Sequence, residues 1–135
     1  MYTLKKSLGQ HFLKDENICK KIVAAIEQYP HQQLLEVGPG GGALTKYLLQ
    51  LPGIDFKAIE LDDEKVTYLL NAYPALKGKL IHQNFLDSEK PFDGKFSVTG
   101  NFPYNISSQI LFKVLDWKEN IEQVVGMFQK EVAER

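Results

Sequence analysis

The feature that most restricts the fold of this chain is a glycine-rich segment, residues 38–42 (GPGGG), which directly follows an apolar stretch. That stretch, Gln33–Val37 (QLLEV), has the length and composition of a buried strand. Apolar residues at helical spacing follow the glycines over about residues 43–50, and Pro52 ends that pattern. Glycine permits a sharp turn and leaves the first amides of a helix open to a ligand. The sequence therefore predicts the ligand-binding turn of an α/β sheet.

The remaining sequence alternates between strand and helix patterns. Strands are predicted at residues 33–37, 56–60, 79–83, 95–99 and 122–128. Further helices are predicted at about residues 15–28 with Asp15 as N-cap, from Asp62 or Asp63 to about residue 72, after Ser107 or Ser108, and from about residue 130. Such alternation builds parallel sheets through right-handed crossovers. We therefore predict one α/β domain over residues 1–135, with a mostly parallel sheet and helices on both faces. Because the pattern stops as a helix begins, the sheet is expected to be incomplete at its C-terminal end.

Composition excludes several classes of protein. The 135 residues carry a formal net charge of −1 and a single cysteine, Cys19, so neither an internal disulfide nor a cysteine-rich metal site is expected. No apolar run approaches the roughly 18 residues of a membrane span. The histidines lack ligand spacing. We therefore expect a cytoplasmic protein that binds neither membrane nor metal, while the near-neutral charge does not by itself predict a nucleic-acid partner.

An acidic residue, Glu60, ends the second predicted strand, 20 residues after Gly40. At that position a carboxylate can accept hydrogen bonds from ribose hydroxyls. The spacing within residues 38–43 (GPGGGA) also fits a dinucleotide cofactor, so the segment alone leaves a nicotinamide-dependent oxidoreductase open. Two details favour S-adenosylmethionine instead. They are the third glycine, Gly42, and Glu36, whose anion could attract the ammonium group of that cofactor.

Residues 101–104 (NFPY) follow the fourth predicted strand, at the sheet edge where open α/β folds bind ligands. The amino group of adenine is a poor nucleophile because its lone pair is delocalised into the ring. The Asn101 side chain and the Pro103 carbonyl can accept its two N–H bonds, and Tyr104 can stack on the base, a contact worth roughly 1–3 kcal/mol. The segment predicts methyl transfer to adenine through alignment of the reacting groups, with no side-chain general base.

Five motifs occur along the chain in a characteristic order. They are residues 8–13 (LGQHFL), 36–40 (EVGPG), 59–62 (IELD), 100–107 (GNFPYNIS) and 129–132 (QKEV). Together they resemble the motifs of the small-subunit ribosomal RNA adenine dimethyltransferase family. The resemblance implies a Rossmann-like, S-adenosylmethionine-dependent methyltransferase fold. It also implies a monomeric enzyme that dimethylates two adjacent adenines near the 3′ end of 16S rRNA in an immature 30S subunit.

The same resemblance assigns roles to individual residues. The residues expected to bind the cofactor are Gln10, His11, Leu13, Gly38, Gly40, Glu60, Leu61, Asn84, Phe85 and Asn101. The residues expected to form the catalytic loop are Asn101, Pro103 and Tyr104. Within these sets, Gln10 and Leu13 would contact the methionine end of the cofactor. Glu60 would hold the ribose, and Leu61 would pack on the cofactor adenine.

The chain departs from the family pattern at three positions. His11 stands where the family usually has asparagine, and Phe102 stands where it often has leucine. Asn84 replaces an acidic residue that usually accepts a hydrogen bond from the cofactor's adenine amine. The amide oxygen of Asn84 can accept that bond, but without the charge that strengthens it. We therefore expect Asn84 to weaken cofactor affinity.

Two other functions remain open. A 23S rRNA adenine methyltransferase of the macrolide-resistance type shares the glycine segment and a related catalytic motif, although residues 9–13 (GQHFL) and 105–108 (NISS) favour the small-subunit enzyme. A non-catalytic ribosome-assembly or RNA-binding factor would keep the same fold. The family continues beyond residue 135 with the rest of the sheet and a helical RNA-binding domain. The 135-residue chain alone is therefore expected to bind cofactor weakly and to methylate ribosomes poorly or not at all.

Overall fold

A computed structural model describes residues 16–28, 33–102 and 104–128, apart from the side chains of residues 104, 105 and 128. The strands of this part of the chain are β1 (Gln33–Val37), β2 (Asp55–Glu60), β3 (Leu80–His82), β4 (Phe96–Phe102) and β5 (Ile121–Phe128). They form one sheet in the order β3-β2-β1-β4-β5, in which every pairing is parallel. The predicted α/β fold with a parallel sheet is confirmed.

The helices of the described chain are α1 (Glu16–Glu27), α2 (Thr45–Leu48), α3 (Asp63–Ala72) and α4 (Tyr104–Asp116), with short 3-10 turns at Pro74–Leu76 and Phe85–Asp87. Of the two N-caps predicted for α3, Asp62 is the correct one, because its side chain accepts the Lys65 N–H at 3.1 Å. Across the described residues, every helix is too short or too polar to span a membrane.

Three predicted boundaries were wrong. The helix after the glycines is regular over only four residues, because i→i−3 hydrogen bonds form at both of its ends. The Tyr47 N–H donates to the Leu44 carbonyl, and the Gln50 N–H donates to the Tyr47 carbonyl. Strand β4 continues to Phe102 because β5 runs beside it to its end. As α4 begins at residue 104, Ser107 and Ser108 lie in its first turns and do not cap it. The helix predicted from residue 130 lies outside the described residues.

Helices cover both faces of the sheet. Leu34 and Leu35 are neighbours on β1 and point to opposite sides, as strand geometry requires. On the first side the core consists of Cys19, Ile22, Ile26, Leu34, Leu44, Leu48, Phe56, Ala58, Leu69 and Leu76. On the second side it consists of Leu35, Val37, Ile59, Phe85, Phe92, Phe96, Val98, Phe102, Ile110 and Val114. This sandwich fixes the carboxyl ends of the strands, where the site lies.

Two glycines leave room for the ring of Phe102 against the sheet. A Cβ on Gly126 would come within 2.5 Å of that ring and 2.6 Å of the Gly100 carbonyl oxygen. A Cβ on Gly100 would meet the Val37 carbonyl oxygen at 2.6 Å. Phe102, which stands where the family often has leucine, is completely buried. Its ring holds the end of β4 in place, directly beside Asn101.

Candidate functional site

A cavity of about 240 Å³ opens at the carboxyl ends of β1, β2 and β4. From β1 the chain moves outward through β2 to β3, and then returns to β4 on the other side of β1. Open parallel sheets bind ligands at such a reversal of strand order. The predicted site residues that line this cavity are Gly38, Gly40, Glu60, Leu61, Asn84, Phe85 and Asn101. The fold therefore brings together residues from three of the five motifs and from the segment that follows β3.

The glycine turn between β1 and α2 forms the floor of the cavity. The Gly38 N–H donates to the Ile59 carbonyl at 2.9 Å, which ties the turn to β2. Gly40 has φ +58° and Gly42 has φ +88°, a region that favours glycine. A Cβ on Gly42 would also lie 2.5 Å from the ring of Tyr73. The sequence of this turn is thus dictated by backbone conformation and by close packing.

Glu60 joins the glycine turn to the end of β2. One carboxylate oxygen, Oε1, accepts the Gly40 N–H at 3.1 Å, and the other, Oε2, accepts the Asp62 N–H at 3.1 Å. Glu60 is almost fully buried yet lines the cavity. Each carboxylate oxygen has a second lone pair that a ligand hydroxyl can use. Glu60 therefore both braces the glycine turn and offers acceptors to a ribose.

The structure contradicts the role predicted for Glu36 as an anion that attracts an ammonium group. Glu36 is only 2% exposed and lies outside the set of described residues that line the cavity. The Thr45 hydroxyl donates to its Oε1 at 2.6 Å. Burial raises the pKa of Glu36 to about 8, an effect that the Thr45 bond opposes and the Glu60 charge reinforces. At neutral pH this carboxyl group is therefore mostly uncharged.

Glu36 predicts a pH dependence of stability. Its pKa is about 8 in the folded protein and near 4.5 ordinarily. Between these two pH values the folded state therefore binds more protons than the unfolded state. The free energy of unfolding should fall as pH rises through this interval, by on the order of a few kcal/mol. Glu36→Gln, which keeps a partner for Thr45, should remove that fall. Urea unfolding of both proteins near pH 5 and near pH 9 measures it, and identical pH profiles would contradict the assigned pKa.

The opposite wall of the cavity comes from the segment after β3. Leu61 is 60% exposed beside this wall and offers an apolar face for a ring. Asn84 caps the 3-10 turn Phe85–Asp87, because its Oδ1 accepts the Leu86 N–H at 3.0 Å. Phe85 packs edge-on against Trp117 at 5.6 Å between ring centroids. The single oxygen of the Asn84 side chain therefore already accepts one hydrogen bond and keeps one lone pair for a ligand, which the sequence did not indicate.

Asn101 occupies the rim of the cavity at the end of β4. It lies within the strand, paired with Met127, and not in a loop after it as predicted. Its Oδ1 is buried and has no hydrogen-bond partner among the described residues. Such an unpaired buried acceptor is costly, and natural proteins keep few of them. The atom is available to a donor that enters the cavity.

Four predicted site residues, Gln10, His11, Leu13 and Pro103, lie outside the described residues. The backbone of Tyr104 begins α4, one residue beyond that gap. In the described part of the chain, His, Cys, Asp and Glu side chains form no group of three that could hold a metal ion.

Sequence reasoning missed part of the cavity wall. Ile106 and Ile110 of α4 and Leu86 of the 3-10 turn form apolar lining, and Lys65 and Gln83 add polar groups. Gln83 could have been found, because it ends the third predicted strand at the same sheet edge as Glu60 and Asn101. Nothing in the sequence singles out Lys65.

Over residues 1–135 the chain matches the family described as ribosomal RNA adenine dimethylase. It belongs to that family. Ribosomal RNA small subunit methyltransferase A of Cytophaga hutchinsonii is 49% identical to it over 134 residues, which are 97% of this chain and 52% of that protein. The dimethylase-family chain thus spans about half the length of the curated relatives it matches.

Two solved structures share the fold of this dimethylase-family chain. The 23S rRNA methyltransferase ErmE aligns with a TM-score of 0.72 and 27% identity, over 85% of this chain and 46% of its own. A dimethyladenosine transferase from Plasmodium falciparum aligns with a TM-score of 0.68 and 30% identity, over 88% of this chain and 43% of its own. The predicted family and the predicted Rossmann-like methyltransferase fold are both confirmed.

Proposed function

We propose that this chain is the cofactor-binding and catalytic part of an S-adenosylmethionine-dependent enzyme that dimethylates N6 of two adjacent adenines near the 3′ end of 16S rRNA. The observation that carries the proposal is the buried, unpaired Asn101 Oδ1 at the rim of a cavity built by the glycine turn and Glu60. The family match and the relatives named for the ribosomal small subunit support the substrate. The partner is 16S rRNA within an immature, cytoplasmic 30S subunit, and the enzyme is a monomer.

The residues of the cavity fit S-adenosylmethionine. Glu60 offers lone pairs to ribose hydroxyls, and the exposed face of Leu61 suits an adenine ring. Gly38 and Gly40 admit the ligand close to the backbone. Gln10, His11 and Leu13 remain assigned to the methionine end as part of this proposal. When bound, the cofactor supplies a methyl group that its sulfonium has already activated.

Asn101 acts on the target base in this proposal. Its Oδ1 accepts one N–H of the adenine amine, the Pro103 carbonyl accepts the other, and the Tyr104 ring stacks on the base. Two acceptors hold the amine so that its lone pair points into the cavity. The base must leave its stack to reach them, at a cost of a few kcal/mol that unpaired RNA lowers. Alignment then lowers the barrier by up to roughly 7–11 kcal/mol in ideal cases, and no side chain has to remove a proton first.

Asn84→Asp should raise the affinity for S-adenosylhomocysteine about five- to tenfold. The Asn84 oxygen already accepts the Leu86 N–H, so only its second, uncharged lone pair is left for the cofactor's adenine amine. A carboxylate keeps the Leu86 bond and adds a second, charged acceptor, and charged hydrogen bonds are roughly twice as strong as neutral ones. Calorimetric titration of both proteins measures the difference.

Gln83→Glu is the matched control, because Gln83 also lines the cavity and the change adds the same charge one residue away. It should leave the affinity within about twofold, since general charge attraction is weak in water. Equal gains from both variants would mean that net charge, and not an acceptor at residue 84, controls binding.

The substrate is tested with a full-length form, a polypeptide that carries this sequence and has the length of its relatives. We expect it to transfer labelled methyl groups from S-adenosylmethionine to immature 30S subunits and not to naked 23S RNA. Transfer to 23S RNA alone would favour the activity named for ErmE. Binding to 30S subunits without transfer would indicate a non-catalytic assembly factor. Tight binding of NADH in place of S-adenosylhomocysteine would indicate an oxidoreductase.

A further inference from the structure

Lys113 of α4 links this helix to the segment after β3. Its ammonium group donates to the carbonyl oxygens of Leu86 at 3.0 Å and of Ser88 at 2.7 Å. It also lies over the ring faces of Trp117 and Phe85, at 5.0 Å and 6.0 Å from their centroids. A lysine has three donors and a compact charge, so one side chain can satisfy both carbonyls at once. The half-buried lysine is therefore tightly engaged by neutral groups.

The segment that Lys113 holds is the adenine-side wall of the cavity. Residues 84–88 are closed by internal bonds, from the Leu86 N–H to Asn84 Oδ1 at 3.0 Å and from the Ser88 hydroxyl to the Phe85 carbonyl at 2.8 Å. Asn84, Phe85 and Leu86 line the cavity. The turn is thus rigid within itself, and its position depends on what ties it to the rest of the fold.

Lys113 lies on the same face of α4 as the cavity-lining residues Ile106 and Ile110. Positions 106, 110 and 113 follow the spacing of four and then three residues that places side chains along one helix face. The same helix begins directly after Pro103, in the predicted catalytic loop. Lys113 therefore fixes residues 84–88 to α4, the helix that directly follows the predicted catalytic loop.

We propose that Lys113 is a positioning residue, which holds the 84–88 turn at the distance from α4 that the adenine of the cofactor requires. This inference rests on the proposed function, because it takes the cavity to be the S-adenosylmethionine site. Lys113 acts through the turn and touches neither cofactor nor target base.

The test compares Lys113→Met, Lys113→Arg and Lys90→Met in the full-length form. Lys90 lies on the loop that follows the same turn, but its ammonium donates to Asn120 at the surface, so it is the matched control. The ligands are S-adenosylhomocysteine and 5′-deoxy-5′-methylthioadenosine, which lacks the amino-acid end. Lys113→Met should weaken both ligands by the same factor of about ten, as expected for lost charge-assisted bonds. The KM for S-adenosylmethionine should rise equally, with kcat on 30S subunits within about threefold.

Lys113→Arg should recover most of the affinity, because a guanidinium also donates to carbonyl oxygens. Lys90→Met should match the wild type. A lower melting temperature with unchanged Kd values, a loss in kcat alone, or a loss confined to S-adenosylhomocysteine would overturn the inference. If Lys113→Met does not fold, Lys113→Gln is judged by the same Kd and KM values. A wild-type protein that binds neither ligand would refute the proposed function itself.

Discussion

Replacing Asn101 with alanine in the full-length form should lower the rate of methyl transfer to 30S subunits by about 10²–10³-fold, the range found when a single preorganised polar contact to a reacting group is removed. The Kd for S-adenosylhomocysteine should change by less than about threefold. The reason is that the buried Oδ1 has no partner in the described structure and is free to hold the adenine amine. Its removal therefore costs the described part of the fold no hydrogen bond. Single-turnover methylation and calorimetry separate the two effects.

Thr99→Val is the matched control for this variant. Thr99 lies two residues earlier on β4, and its buried hydroxyl also lacks a partner in the described chain, but Thr99 is not among the residues that line the cavity. We expect transfer rates within about twofold of the wild type, because valine has nearly the same shape and the change removes a buried hydroxyl that has no partner among the described residues. If both variants lose activity equally, the effect comes from the strand. Unchanged turnover in Asn101→Ala would remove Asn101 from the mechanism.

Glu60→Gln should lower the affinity for S-adenosylhomocysteine about 10²-fold while kcat at saturating cofactor changes little. The carboxylate accepts the Gly40 and Asp62 N–H groups, and it is expected to accept ribose hydroxyls as well. In glutamine, an NH₂ group replaces one of the two carboxylate oxygens. Because both oxygens of Glu60 accept a backbone N–H, this NH₂ donor would face another donor. Lost hydrogen bonds to a charged group are worth about 1.5–3 kcal/mol each, which gives the expected factor. Calorimetry with S-adenosylhomocysteine measures it.

Asp63→Asn provides the comparison for Glu60→Gln. Asp63 carries the same charge three residues away, but its carboxylate is 89% exposed and pairs with His82 at 2.7 Å. Exposed polar contacts of this kind contribute little, so this variant should bind the ligand within about twofold of the wild type. A Glu60→Gln protein that binds S-adenosylhomocysteine normally would show that Glu60 serves only to brace the glycine turn.

Much of the site was predictable because parallel strands place their carboxyl ends at one edge. Gly38, Glu60 and Asn101 each follow or end a predicted strand, and the observed order of β2, β1 and β4 makes them neighbours around one cavity. The glycines are required by the local backbone conformation of the turn, and the position of Glu60 follows from the parallel direction of β2. Sequence patterns report both of these properties directly.

The role of Glu36 was not predictable, because β1 is buried on both faces. Strand alternation separates an inward from an outward side chain only where one face meets water. The decisive partner, Thr45, lies in a helix that is shorter than its apolar pattern indicates. The burial that neutralises Glu36 therefore appears only once the helices have packed.

The engagement of Asn84 and Lys113 was equally hidden. Asn84 lies where a cofactor contact was predicted, yet its oxygen caps the turn that follows. Lys113 looks in the sequence like an ordinary charged residue of an amphipathic helix. Its two acceptors are main-chain carbonyls 25 and 27 residues earlier, and a backbone group has no residue type that a pattern could reveal.

A crystal structure of the full-length form with S-adenosylhomocysteine bound tests the proposed site most directly. We expect the adenine against Leu61 and Phe85, the ribose hydroxyls within hydrogen-bond distance of Glu60, and the sulfur facing Asn101. A nucleoside bound elsewhere, or an Asn101 side chain turned away from the glycine turn with the ligand in place, would contradict the proposed function.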